Sequence, residues 1–220
     1  MFRVKICGVT TPEDAKHAVA CGADAVGINF FRGSRRSVGE ESARDIVSAV
    51  GERAVIVGVF VNERPEAISA LCGRLGISRV QLHGDEPAAE AGRISLWRMK
   101  AVHAEGRVDL PLLRAYPCEA FLVDAGGPGE YGGTGRELSW KTLRERFGDL
   151  LCRLDASGPG MPWALAGGLT PENVERAIAE AEPFAVDVAS GVESLPGKKD
   201  PDKVAAFVER AWRGLRLAGA

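Results

Sequence analysis

No two cysteines stand at CxxC spacing. The five present (Cys7, Cys21, Cys72, Cys118 and Cys152) are odd in number and scattered, which argues against a disulfide framework and against a zinc site. Charge of one sign is also missing: 28 Lys plus Arg against 30 Asp plus Glu leave a net charge of -2, too little general field to hold nucleic acid or an acidic membrane surface. An anion must therefore be bound locally. The N-terminus, Met1-Phe2-Arg3-Val4-Lys5, lacks the basic start and apolar run of a secretory signal, and no apolar stretch approaches the roughly 18 residues of a membrane span. A cytoplasmic location is expected, with the cysteines reduced. Histidine is scarce too, at three residues.

What is abundant is a repeat. Short runs rich in Val, Ile and Ala recur near 4–7, 25–30, 54–61, 79–82, 96–101, 120–124, 163–166 and 185–188, each followed by a polar or glycine-containing link and an Ala-rich amphipathic stretch. Helices are expected to begin at Thr11, Gly39, Arg64, Glu86, Arg107, Ser139, Thr170 and Asp200. Three of these residues, Thr11, Thr170 and Asp200, can cap and precede a proline. Eight units in 220 residues leave about 27 each, enough for a strand, a helix and two short links. Eight parallel strands close a single (β/α)8 barrel spanning 1–220; an open doubly wound sheet would suit the same alternation. The segment 151–161, with two Gly and a Pro, reads as a surface loop rather than a domain linker.

In such a barrel the chemistry lies on the loops after the strands' C-terminal ends. Lys5 and Cys7 close the first run two residues apart, on one face, and both could point into the barrel mouth. A nearby cation would raise the thiolate fraction of Cys7 and make it a usable base; as a lone residue it would simply pack. Asp124 ends the apolar run 120–123 and precedes a glycine-rich stretch, 125–136, containing Gly132, Gly133, Thr134 and Gly135. The carboxylate is either a turn cap or a proton-transfer group, and the stretch could act as a mobile cover. Gln81 and His83 share a face at the end of the fourth run; His17 and His103 have less support. Arg32, Arg35 and Arg36 follow the second run, where one guanidinium could clamp a carboxylate with paired hydrogen bonds and the others would be solvated. Two late glycine turns, at Gly167-Gly168 and Ser190-Gly191, follow the seventh and eighth runs. Bare backbone N–H groups there would suit a phosphate, though glycines also simply make tight turns.

These segments, in this order and spacing, resemble the phosphoribosylanthranilate isomerase family of tryptophan biosynthesis from end to end. The resemblance is carried by Lys5-Ile6-Cys7-Gly8, Gly22-Ala23-Asp24-Ala25, Val57-Gly58-Val59-Phe60-Val61-Asn62, Gln81-Leu82-His83-Gly84-Asp85-Glu86, Gly132-Gly133-Thr134-Gly135, Leu165-Ala166-Gly167-Gly168-Leu169 and Ser190-Gly191-Val192-Glu193. It implies a TIM barrel that converts N-(5-phosphoribosyl)anthranilate to the 1-deoxyribulose isomer by an Amadori rearrangement, with neither metal nor organic cofactor. It further implies Asp124 as general acid, Cys7 as general base, Arg36 as partner of the anthranilate carboxylate, and the phosphate against Gly168 and Gly191. Members occur as monomers or homodimers.

One departure concerns the arginine loop: the family's usual Ser-Pro-Arg is Ser34-Arg35-Arg36 here, so Arg35 could compete for the carboxylate. The alternatives are a related phosphate-binding barrel isomerase, which the first-strand cysteine disfavours, and a non-catalytic phosphate-ligand binding protein, which would not need Cys7 and Asp124 together.

Overall fold

The computed structural model describes residues 1–104, 109–124, 140–147 and 161–218. Eight strands form a closed barrel in sequence order: β1 (Val4–Cys7), β2 (Ala25–Asn29), β3 (Val55–Phe60), β4 (Arg79–Leu82), β5 (Trp97–His103), β6 (Ala120–Asp124), β7 (Trp163–Ala166) and β8 (Ala185–Val188). All pairings are parallel, and β1 meets β8 through Lys5 opposite Asp187. The open-sheet alternative is excluded.

Strand alternation produces two apolar layers. Outward residues such as Val4, Ile6, Val26, Ile28, Val80, Leu82, Phe121 and Val123 pack under the helices. Inward residues are mostly small, with Ala25, Ala101, Ala120, Ala164 and Ala185 leaving room for Met99, Leu122, Val57 and a plug at Phe2. Nearer the C-terminal end the inward positions turn polar: Lys5, Gln81, Asp124 and Asp187 are all buried.

The helices are α1 (Pro12–Ala20), α2 (Glu40–Val50), α3 (Pro65–Leu75), α4 (Ala88–Ala91), α5 (Leu110–Arg114), α6 (Trp140–Phe147), α7 (Val174–Ala181) and α8 (Pro201–Ala218). Most start where the capping residues place them; Thr11 accepts from Asp14 N at 3.2 Å and Pro12 opens the first turn.

Three starts are displaced. Helix α5, expected from Arg107, begins at Leu110, where Asp109 caps it by accepting from Leu112 N at 3.1 Å. The other two are displaced by a side chain engaged elsewhere. Glu86 does not open a helix, because its carboxylate turns inward to accept from Asn62 N at 3.0 Å, Gly84 N at 2.9 Å and Lys100 Nζ at 2.7 Å, tying together the ends of β3, β4 and β5. Helix α4 is left with four residues beginning at Ala88. Thr170 likewise does not open α7. Its N–H is taken by Asn173 Oδ1 at 2.8 Å while Asn173 Nδ2 donates to Gly168 O at 2.9 Å, so a turn intervenes after the paired glycines. A further element lies between β8 and α8: a 3-10 turn, Ser190–Val192, followed by a small antiparallel hairpin, β9 (Glu193–Leu195) with β10 (Lys198–Lys199).

Burial opposes the charge on Glu86, but Lys100 and the backbone N–H groups outweigh it and hold the carboxyl below its ordinary range. A depressed pKa stabilises the fold above the unfolded-state value, and the contribution is lost as pH falls through the folded value. Glu86→Gln should therefore cost on the order of 3 kcal/mol at neutral pH. Urea unfolding should show the gap from wild type closing in acid; a gap independent of pH would contradict the assignment.

Candidate active site

A cavity of about 360 Å³ opens at the C-terminal end of the barrel, lined among others by Cys7, Asn29, Arg36, Gln81, His83, Asp124, Gly167, Gly168 and Ser190. Residues distant in sequence thus meet in one place. Gly133 and Thr134, expected to cover it, lie outside the described residues.

Lys5 does not reach the cavity wall. It is fully buried one layer below, where Nζ donates to Asp187 Oδ1 at 2.8 Å and to Gln81 Oε1 at 2.9 Å. The latter bond fixes the amide: its oxygen faces Lys5, so Gln81 Nε2 donates to His83 Nδ1 at 2.7 Å. Nδ1 is then an acceptor, which puts the imidazole proton on Nε2, facing Asp124 Oδ2 at 3.4 Å. A hydrogen-bonded chain runs Asp187–Lys5–Gln81–His83 across the barrel interior, and Asp124 lies beyond its end, 3.4 Å from a His83 Nε2 that makes no hydrogen bond among the described residues. Gln81 touches the cavity, but its amide is committed to this chain.

Cys7 lies at the cavity floor, 8% exposed. Burial pushes its thiol above the ordinary value and the charge of Asp187 adds to this, while Lys5 and Lys199 offset it only in part. The expected activation by a neighbouring cation is therefore not realised in the resting protein. Lys5 is indeed adjacent, yet its charge is already compensated by Asp187. Burial works against the ammonium, but Asp187 and Cys7 outweigh it and raise the Lys5 pKa. Room for this pair comes from Gly27 on β2, where a Cβ would lie 2.7 Å from Cys7 Sγ and 2.9 Å from Lys5 Cε.

After β7, Gly167 and Gly168 both have positive φ, 83° and 66°, and a Cβ on Gly168 would meet nothing within 4 Å, so the backbone is bare toward the cavity. Ser190 lines the cavity and Gly191 does not. Gly191 is packed so tightly that a Cβ would sit 1.8 Å from Leu169 O, which makes it the contact that lets the 3-10 turn close on the glycine loop. Of the loop arginines, Arg32 and Arg35 are exposed, whereas Arg36 is half-buried and bidentate to Glu193, at 2.7 and 2.8 Å. Arg35 also borders the cavity.

Sequence reasoning passed over Gly27, Asp187, Glu193 and Lys199 and gave His103 little support; His103 ends β5 and stacks edge-on to His83 at a centroid distance of 5.9 Å. Glu193 stood in a quoted motif, which was the available signal. Among the described residues no cluster of three or more His, Cys, Asp or Glu could hold a metal ion, and no helix is long and apolar enough to cross a membrane.

A raised thiol pKa has a direct readout. Alkylation of Cys7, followed by peptide mass mapping, should be slow at neutral pH and climb steadily into the alkaline range. A rate already at its plateau at neutral pH would show that the thiolate is stabilised instead.

The family model for N-(5'-phosphoribosyl)anthranilate isomerase matches residues 4–210. The N-(5'-phosphoribosyl)anthranilate isomerase of Trichlorobacter lovleyi is 42% identical over 215 residues, covering 98% of this chain and 100% of that protein. The crystal structure of phosphoribosyl anthranilate isomerase from Thermotoga maritima superposes with a TM-score of 0.85 at 39% identity, over 97% of this chain and 100% of that one. Another isomerase crystal structure, holding reduced 1-(o-carboxyphenylamino)-1-deoxyribulose 5-phosphate, matches with a TM-score of 0.81 at 37% identity, over 97% and 100%. With sequence and barrel in agreement over nearly its whole length, the chain belongs to the phosphoribosylanthranilate isomerase family.

Proposed function

We propose that this protein catalyses the Amadori rearrangement of N-(5-phosphoribosyl)anthranilate, with Asp124 as general acid and Cys7 as general base. The observation that supports this reading is the presence of both groups in the lining of one cavity, reached from β1 and β6, beside a bare glycine backbone suited to an ester phosphate. Asp124 gives its proton to the furanose ring oxygen as the ring C–O bond breaks and the anilinic nitrogen's lone pair forms the iminium. Cys7, as thiolate, takes the proton from C2; the C–H electrons form the enolamine, which tautomerises to the ketose. Exchange with water then returns a proton to Asp124 and removes one from Cys7.

The chain through His83 supports these roles by geometry. His83 turns Nε2 toward the Asp124 carboxyl at 3.4 Å, and Lys5 acts on His83 through Gln81 without touching the ligand. The phosphate rests on Gly167, Gly168 and Ser190, with Gly191 closing the turn behind them. Arg36 meets the anthranilate carboxylate. The stretch containing Gly133 and Thr134 covers the mouth, the ligand is a small phosphorylated molecule, and the enzyme works in the cytoplasm as a monomer or homodimer.

Since Cys7 reacts as the thiolate and its pKa is raised, kcat/KM should rise with pH through the Cys7 titration. Cys7→Ala and Asp124→Asn should each lower turnover by at least ~10²-fold with thermal unfolding unchanged, followed through loss of anthranilate fluorescence. Near-normal rates would refute the assigned roles, and absence of turnover in the wild type would favour a phosphate-ligand binding protein.

A further inference from the structure

Arg36 is gripped along one edge. Its Nε and Nη2 donate to Glu193 Oε1 and Oε2, which occupies one of the two forks a guanidinium offers. The second fork, Nη1 with the remaining proton of Nη2, meets no hydrogen-bond acceptor among the described residues, and Arg36 borders the cavity.

The grip is itself supported on every side. Glu193 is 8% exposed at the start of β9. Lys199 on β10 donates to Glu193 Oε1 at 3.1 Å and to Ala189 O at 2.9 Å, while Lys203 donates to the Glu193 carbonyl at 3.0 Å. Across from the hairpin, Gly8 has φ 68°, and a Cβ there would lie 2.4 Å from Arg36 Cδ. The arginine thus runs in a slot between β1's end and the hairpin.

Charge bookkeeping favours an anion at the mouth of this slot. At the Glu193 carboxylate itself two cations, Arg36 and Lys199, face one anion. A carboxylate on the ligand would meet the fork of Arg36 that Glu193 leaves open.

Resting on the reading that Arg36 meets the ligand's aromatic carboxylate, we propose that Glu193, braced by Lys199, is a positioning residue. It presents one guanidinium fork to the cavity and so sets selectivity for an anilinic ring bearing an ortho carboxylate over the same ring without it. Released from Glu193, a long flexible side chain would have to be immobilised at each binding event, and the carboxylated ligand alone would feel the loss. The amide in Glu193→Gln keeps one acceptor and turns an N–H donor toward the guanidinium, which breaks the fork without emptying the space.

Two stable ligands read this out by calorimetry on the full-length enzyme: reduced 1-(2-carboxyphenylamino)-1-deoxyribulose 5-phosphate and its analogue lacking the carboxylate. Wild type should prefer the first by on the order of 10- to 100-fold, the scale of charge-assisted hydrogen bonds. Glu193→Gln should reduce that preference about tenfold while binding the decarboxylated analogue as wild type does, a pattern that a general loss of structure would not give. Arg36→Met should abolish the preference, and adding Glu193→Gln to it should change nothing more. Preference retained in Glu193→Gln but lost in Arg36→Met would overturn the positioning role alone. Preference retained in Arg36→Met would overturn the carboxylate reading of Arg36 and this role with it. Should Glu193→Gln fail to fold, Glu193→Asp, which withdraws the carboxylate by one methylene, carries the same test: an undiminished preference there would also overturn the role.

Discussion

The ion pair between Lys5 and Asp187 closes the barrel chemically as well as topologically. It joins the first and last strands at the layer where the interior changes from alanine to polar side chains, and both partners are shielded from water. A buried ammonium can persist only with its charge met and its protons placed, so Lys5 must have Asp187 and Gln81 where they stand. Three consequences follow. The amide of Gln81 has one permitted orientation, His83 has one tautomer facing Asp124, and Cys7 sits beside a lysine whose charge is already spent.

Close packing of backbone around this layer completes the site. Gly27 leaves the space that Cys7 and Lys5 fill, Gly8 leaves the space for the stem of Arg36, and Gly191 lets the turn after β8 touch the loop after β7. Each is a position where any side chain would collide with a functional group or with backbone. The positive φ at Gly167 and Gly168 opens the remaining wall. Rigid strands thus carry Cys7 and Asp124, while glycine turns and an arginine braced by the hairpin border the rest of the cavity.

The barrel was legible because buried parallel strands read as short continuous apolar runs, and the eight expected runs coincide with β1 to β8. The positions of Cys7, Asp124 and His83 were legible because a polar residue ending such a run has only the barrel mouth to face. What stayed hidden depends on partners far apart in sequence. Lys5 and Asp187 are 182 residues apart and Arg36 and Glu193 are 157 apart, and no local pattern marks either pairing. The hairpin at 193–199 lies outside the eight expected runs. The displaced starts of α4 and α7 arise from Glu86 and Asn173, whose side chains bond groups beyond the reach of a capping rule.

The dependence of Cys7 on the buried pair is tested most directly by the pH profile of kcat/KM for Asp187→Asn against wild type. Removing the carboxylate takes a negative charge from beside the thiol, so the ascending limb should move to lower pH. A limb that stays in place, or moves to higher pH, in a variant that folds normally would contradict it.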